Sequence, residues 1–365
     1  MPRNILVRGV NWLGDAVMST PALARLRGKF PEARITLLTP EKLAQLWERH
    51  AALNHVITFA SGETAFAVGK RLRAVEFDLA LIFPNSFRSA AQIFFAGIPN
   101  RVGYEGQLRS PLLTEVVSMR SDVFSIRKRT RGEIDRLVSG RSQAKALHPS
   151  PDSHHIFQYL HLASAVGANS EPLAPAIHVD EGEVESACAK FAIRRNTTAL
   201  IGINPGAEYG PAKRWPIENF VETIHTLGKA VASQFIIFGG KSETAVAEKI
   251  VAELSTLSPE IRASIVNLTG RTSLRELCAL TKACRVFITN DTGPMHVAAA
   301  VGARVVAIFG STSAALTGPW PTSHHRLLEA TVPCAPCFLR ECPIDFRCMH
   351  QIKPAQVIEA TLRLI

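Results

Sequence analysis

Three stretches of this chain set reactive side chains beside residues that open the backbone. The first is Asn11-Trp12-Leu13-Gly14-Asp15, directly after the apolar run Asn4 to Gly9. A carboxylate there either caps the helix that begins at that point or serves as a base at the carboxyl end of a strand. The second is the loop from Gly206 to Pro216, whose Gly and Pro residues give it a defined shape. It holds Lys213 and Arg214 beside the next helix start. Cations so placed can neutralise a departing diphosphate; the plainer alternative is a surface pair with Trp215 in the core. Lys213 suits the first role and Arg214 the second. The third stretch runs from Phe287 to Ala300. A β-branched strand stops at Asn290-Asp291, and Thr292-Gly293-Pro294 opens an Ala-rich helix. Pro fits a helix's first turn. Free backbone N–H groups and the helix dipole suit a phosphate at that point, and the His296 ring can lean over the same spot. An ordinary capped strand–turn–helix fits these residues equally well.

These stretches sit in an alternating pattern of strands and helices. Strands are expected at Asn4–Gly9, Arg34–Thr39, His55–Phe59, Asp78–Phe83 and Asn100–Tyr104, separated by helices. Glu171-Pro172-Leu173-Ala174-Pro175 reads as an extended linker. Beyond it, strands end at Asn204, Phe238, Leu268, Asn290 and Phe309, each followed by Gly and small polar residues. Alternation of this kind means βαβ units and parallel sheets, and Gly lets a ligand approach the backbone. Neither a GxGxxG nor a Walker GxxxxGK[ST] motif is present, so the edge suits a nucleotide diphosphate held by other means. Arg88 follows a strand end and either meets an anionic ligand or is a solvated helix residue. Phe87, Phe94 and Phe95 read as core.

Of the 365 residues, 47% are hydrophobic and 20% charged, with a net charge of +10. That suits a folded two-domain α/β protein and excludes a disordered chain. No run approaches the ~18 apolar residues of a membrane span. The first residues pass straight into a strand pattern, so a cytoplasmic location is expected. The positive surplus favours acidic partners. The run Arg120, Arg127, Lys128, Arg129, Arg131, Arg136, Arg141 and Lys145 is either a solvated face or a patch able to rest on an anionic leaflet. A nucleic-acid binder is the competing class, but no zinc-finger, RRM or helix-turn-helix signature is present. Cys334, Cys337, Cys342 and Cys348 form C-x2-C-x4-C-x5-C. Reduced thiols bracing a compact loop are expected in preference to a structural zinc site.

Taken together, Asn11–Asp15 with Ser19-Thr20-Pro21-Ala22-Leu23, Asn204–Pro216 and Asn290–His296 resemble the ADP-heptose:lipopolysaccharide heptosyltransferases of glycosyltransferase family 9. The likeness is greatest to the branch that adds the second inner-core heptose. It covers nearly the whole chain and includes the Cys-rich tail. It implies an α/β GT-B architecture of two Rossmann-like domains facing across a cleft. An acceptor domain is expected at 1–172, an ADP-heptose domain at 178–350, and a final helix at 353–365 crossing back to the first domain. The resemblance implies an inverting transfer with Asp15 as catalytic base and Lys213 on the diphosphate. Asp291, Thr292, Gly293 and His296 would line the donor site, with Glu243 on the ribose and Thr272 near the adenine. Arg88 would face the phosphorylated acceptor, a heptosylated Kdo-lipid A, at the inner face of the inner membrane. Another core position, or a protein acceptor, is the alternative within the family. The sequence has no Asp-x-Asp pair, so no metal is expected in the donor site, and no nucleic-acid partner.

Overall fold

The computed structural model describes residues 1–120, 127–143, 149–195 and 199–365. Lys145 of the basic run lies outside the described residues. The chain divides into two compact units. One is Met1–Val123 with Ser150–His178, the other Phe124–Pro149 with Val179–Ile365.

The first unit is built on β1 (Asn4–Arg8), β2 (Arg34–Pro40), β3 (His55–Phe59), β4 (Leu79–Ile82), β5 (Asn100–Tyr104) and β6 (Glu115–Val117). They form one parallel sheet in the order β3-β2-β1-β4-β5-β6. Its helices are α1 (Leu13–Met18), α2 (Thr20–Lys29), α3 (Ala65–Leu72) and α4 (Phe87–Ala96), with α5 (Arg131–Val138) belonging to the other unit and α6 (His155–Ser164) returning to this one. The second unit repeats the plan with β7 (Ala199–Asn204), β8 (Ser233–Ile237), β9 (Ile265–Asn267), β10 (Val286–Asn290), β11 (Arg304–Phe309) and β12 (Arg326–Glu329). The order β12-β11-β10-β7-β8-β9 is the same winding. Its helices are α7 (Glu181–Lys190), α8 (Ile217–Ala230), α9 (Thr244–Leu257), α10 (Pro259–Ala263), α11 (Leu274–Ala283), α12 (Gly293–Ala300), α13 (Ala314–Thr317), α14 (Arg347–Gln351) and α15 (Pro354–Leu362).

Central strands are covered on both faces, which is why Ile5-Leu6-Val7 and Val286-Phe287-Ile288 are continuously apolar and fully buried. Local signals start the helices. Asp180 with Glu183, Ser273 with Glu276 and Thr130 with Glu133 each form a reciprocal capping box. The chain reverses winding between β1 and β4 in one unit and between β7 and β10 in the other. Those are the switch points where open sheets of this type hold ligands, at the carboxyl ends of the strands.

Five features add to or differ from the sequence reading. The short edge strands β6 and β12 were not expected. The first helix breaks at Ser19 into α1 and α2. The basic segment belongs to the second unit, because Ile134 of α5 buries against Cys334 and Cys337 while Val138 packs beside them. Helix α15 packs on α8, β10, β11 and β12; its Val357 and Ala360, with Leu364 just past its end, join the second unit's core. Phe87 and Phe94 are not core: they are 52% and 43% exposed, while Ser89, Gln92, Ile93 and Ala96, on the opposite side of α4, are buried.

Candidate active site

In the second unit the loops after β7, β8, β9, β10 and β11 are stitched to one another at one sheet edge. Asn290, at the end of β10, donates from its side-chain nitrogen to the Pro205 carbonyl at 2.8 Å and accepts from the Trp215 amide at 3.1 Å. The two strands flanking the switch point are therefore locked together just where they end. Lys213 is carried on a short 3-10 turn, and its ammonium forms an ion pair with buried Asp291. The Thr312 hydroxyl after β11 donates to the same carboxylate at 2.6 Å. Lys213 Nζ also lies 4.8 Å from the centroid of the Tyr209 ring. Ring, carboxylate and hydroxyl thus fix a cation at the strand ends.

Glu243 is buried in the turn after β8, and its carboxylate accepts the Gly240 amide at 2.8 Å. It lies so close to Gly206 that any side chain there would collide with it. The next loop is joined by the Gly270 amide, which donates to the Gly239 carbonyl at 2.8 Å. Thr272 follows, half-buried, just before the α11 cap. Helix α12 begins at Gly293 with Thr292 as its cap residue, and the Thr292 side chain makes no capping hydrogen bond. Its first-turn amides point out with partial positive charge. His296 is buried one turn in. Asn204 Oδ1 and Ser311 Oγ, both buried at this edge, have no hydrogen-bond partner among the described residues.

In the first unit Asp15 is not the helix cap. Trp12 holds that position, and Asp15 sits in the first turn, half-buried. The Tyr159 hydroxyl on α6 donates to Asp15 Oδ1 at 3.1 Å. Burial, and then the Asp15 charge, holds the Tyr159 phenol well above its ordinary pKa; it stays a donor. Nearby, at the end of β1, Arg8 is buried. Its guanidinium donates to Gln92 Oε1 at 2.8 Å and Asn11 Oδ1 at 3.0 Å and lies 4.5 Å from the Phe59 ring centroid. These partners are neutral, and burial followed by the Arg88 charge lowers its pKa to about 9. Arg88 itself is exposed at the start of α4, donating to the Glu63 carbonyl.

The sequence matches the family described as glycosyltransferase family 9 (heptosyltransferase) over residues 65–130 and 124–346. The chain belongs to that family. It is 32% identical over 322 residues to lipopolysaccharide heptosyltransferase 2 of Escherichia coli K12, spanning 86% of this chain and 85% of that one. It is 26% identical over 366 residues to lipooligosaccharide heptosyltransferase 2 of Campylobacter jejuni, spanning 99% and 98%. Among solved structures, E. coli ADP-heptose lipopolysaccharide heptosyltransferase II superposes with a TM-score of 0.77 at 30% identity, covering 99% of this chain and 98% of the other. The fold is the two-Rossmann-unit GT-B class.

In this family 9 chain the cysteine tail acts on the Lys213 loop. The Tyr209 hydroxyl donates to the Phe338 carbonyl at 2.8 Å, and the Ala212 amide to the Arg340 carbonyl at 3.0 Å. Arg340 Nε returns a bond to the Tyr209 carbonyl at 2.6 Å. The segment between Cys337 and Cys342 is therefore a brace for the loop. All four cysteines of the tail are free, and Cys334, Cys337 and Cys348 are buried. Burial and the neighbouring thiols push Cys348 up to about 12. Among the described residues no group of three or more His, Cys, Asp or Glu side chains is placed to hold a metal ion. The sequence reading missed Tyr209, Asn290, Thr312, Tyr159 and Arg8. Asn290 and Tyr209 stood within the motifs; Thr312, Tyr159 and Arg8 carried no spacing signal.

Proposed function

We propose that this heptosyltransferase moves heptose from ADP-L-glycero-D-manno-heptose to the first heptose of a lipopolysaccharide inner core, inverting the anomeric carbon. The observation that carries this is the fixed Lys213 cation, held by Asp291, Thr312 and Tyr209 at the edge where α12 begins. A diphosphate is the ligand such a cation and helix start accommodate best. Lys213 has three N–H donors, so it can keep Asp291 while engaging a phosphate oxygen. Negative charge grows on the ADP oxygen as the sugar leaves, and a preorganised cation and dipole stabilise that charge more than the ground state. Glu243 is the ribose ligand in this reading, with Thr272 beside the adenine and Thr292, Gly293 and His296 around the diphosphate and sugar.

Asp15 takes the proton from the attacking acceptor hydroxyl as its oxygen bonds to the anomeric carbon. Arg8 and Arg88 set a positive field for a phosphorylated acceptor. Such an acceptor is lipid-anchored, which places the enzyme at the inner face of an anionic membrane. Among the described residues no helix is long and apolar enough to cross one. Lys213 and α12 do the work that a divalent ion would otherwise do, so turnover in excess chelator is expected. Strict dependence on added magnesium or manganese would contradict it.

The deciding experiment offers ADP-heptose with cores carrying zero, one or two heptoses. Product from the one-heptose core alone supports the assignment; product from the heptose-free core alone moves it to another position. In the same assay Asp15→Ala should lower kcat by about 10²–10⁴-fold while ADP-heptose binding is unchanged. Unfolding of that variant would return Asp15 to a structural role.

A further inference from the structure

The first unit carries an aromatic surface that neither its core nor the site uses. Phe66 on α3 is 57% exposed, beside the 43% exposure of Phe94 and 52% of Phe87 on α4. The Phe66 and Phe95 ring centroids lie 5.5 Å apart, and those of Phe94 and Phe95 5.9 Å apart. The rings therefore form one row across both helices. Phe87 and Phe94, seven residues apart, fall on the same side of α4. The row is rigid, because α3 and α4 meet at Gly69, where an added Cβ would stand 2.5 Å from Phe95 Cβ.

Cations border this row. Lys70, Arg71 and Arg73 are exposed at the end of α3, and Arg88 is exposed on α4. The Arg101 guanidinium lies 5.6 Å from the Phe94 ring centroid. Arg71 is paired with Glu63 at 3.0 Å. Arg73 and Arg101, in contrast, donate to the Phe95 and Leu112 carbonyls at 2.8 Å each, which fixes their position and leaves their charge in place. Exposed aromatic rings bordered by fixed positive charge match the interface of an anionic bilayer: rings enter the headgroup layer and cations meet lipid phosphates. The basic run around α5 is less available for this, because Arg127 is paired with Glu133 and Arg131 with Asp135 at 4.0 Å.

We propose that the α3–α4 face, through Phe66, Phe87, Phe94 and their cationic border, docks this enzyme on an anionic lipid bilayer. The inference rests on the reading that its acceptor is lipid-anchored; the test separates the two. The full chain is floated with phosphatidylcholine vesicles and with vesicles containing phosphatidylglycerol. Turnover is followed in parallel on a deacylated, water-soluble acceptor. Wild type should float with the anionic vesicles only, and less so at high salt. The double variant Phe66→Ser/Phe94→Ser should lose about tenfold or more of that binding, with soluble-acceptor turnover within about twofold of wild type. Lys70→Glu/Arg73→Glu should reduce binding chiefly at low salt. Absence of wild-type flotation overturns the proposal. So does undiminished flotation of the Phe variant, or a change of that variant from dimer to monomer, which would make the face a contact between copies. Loss of soluble-acceptor turnover in wild type would instead overturn the proposed function.

Discussion

At the scale of single residues, the Asp15–Tyr159 pair is the contact most open to a decisive substitution. A hydroxyl that donates to the charged form of a carboxylate favours that form. The Tyr159 phenol is held far above its ordinary pKa by burial and by Asp15 itself, so it does not lose its proton near neutrality. Tyr159→Phe removes one hydrogen bond of 3.1 Å and keeps the ring that packs 5.4 Å from the Phe83 centroid. The Asp15 proton then becomes harder to remove. The acid limb of the kcat profile should move to higher pH, and kcat at neutral pH should fall by about 3–30-fold because the carboxylate is no longer held in one orientation, against a cost of about 1–1.5 kcal/mol for the lost bond. The KM for ADP-heptose should stay unchanged. A purely structural role for Tyr159 would lower stability without moving the pH profile, and that result would refute the positioning role.

At the scale of elements, the cysteine tail and the Lys213 loop form one assembly. Arg340 supplies one of its clamps, through the bond to the Tyr209 carbonyl and a guanidinium 5.4 Å from the Tyr209 ring centroid. Arg340→Ala should cost about 1 kcal/mol of stability and raise the KM for ADP-heptose several-fold with little change in kcat. An unchanged KM would mean that the loop holds Lys213 without its brace. This coupling marks where sequence reading stops. The loops after the strands were legible because Gly, Asn and Asp punctuate apolar runs, and those runs are apolar because both sheet faces are covered. The Lys213–Asp291 pair, 78 residues apart, was not legible as a contact, since it depends on β7 and β10 being neighbours. Helix α4 was misread for a different reason. Its large aromatic residues Phe87 and Phe94 lie on one side, while the side that is buried carries Ser89 and Gln92 beside Ile93 and Ala96, so hydrophobicity alone points to the wrong side. Segment 131–138 reads by its charge, although Ile134 and Val138, four residues apart, already make the stripe that docks it on the cysteine tail. Edge strands β6 and β12 were too short and too polar to register.

At the scale of the whole molecule, the two units repeat one winding but differ in what their strand ends carry. The second unit's edge holds a cation fixed by an ion pair, a helix start and two buried polar atoms without hydrogen-bond partners among the described residues. The first unit's edge holds a carboxylate with a phenol donor and a buried arginine with neutral partners. A division of labour in which the second unit binds the nucleotide and the first activates the acceptor makes a thermodynamic prediction. A ligand that binds only the folded second unit stabilises that unit by RT ln(1 + [L]/Kd), about 2.7 kcal/mol at a hundredfold excess over Kd. For a unit of this size that raises its melting temperature by about 5–10 °C. ADP should therefore shift the calorimetric transition of the second unit by this amount in wild type and equally in Asp15→Ala. Lys213→Ala should lose most of the shift and should also begin from a lower melting temperature, because the buried Asp291 carboxylate is left with only the Thr312 hydroxyl among its named partners. If Asp15→Ala abolished the ADP shift, the nucleotide would depend on the first unit's carboxylate, and the two roles would not be divided between the units in this way.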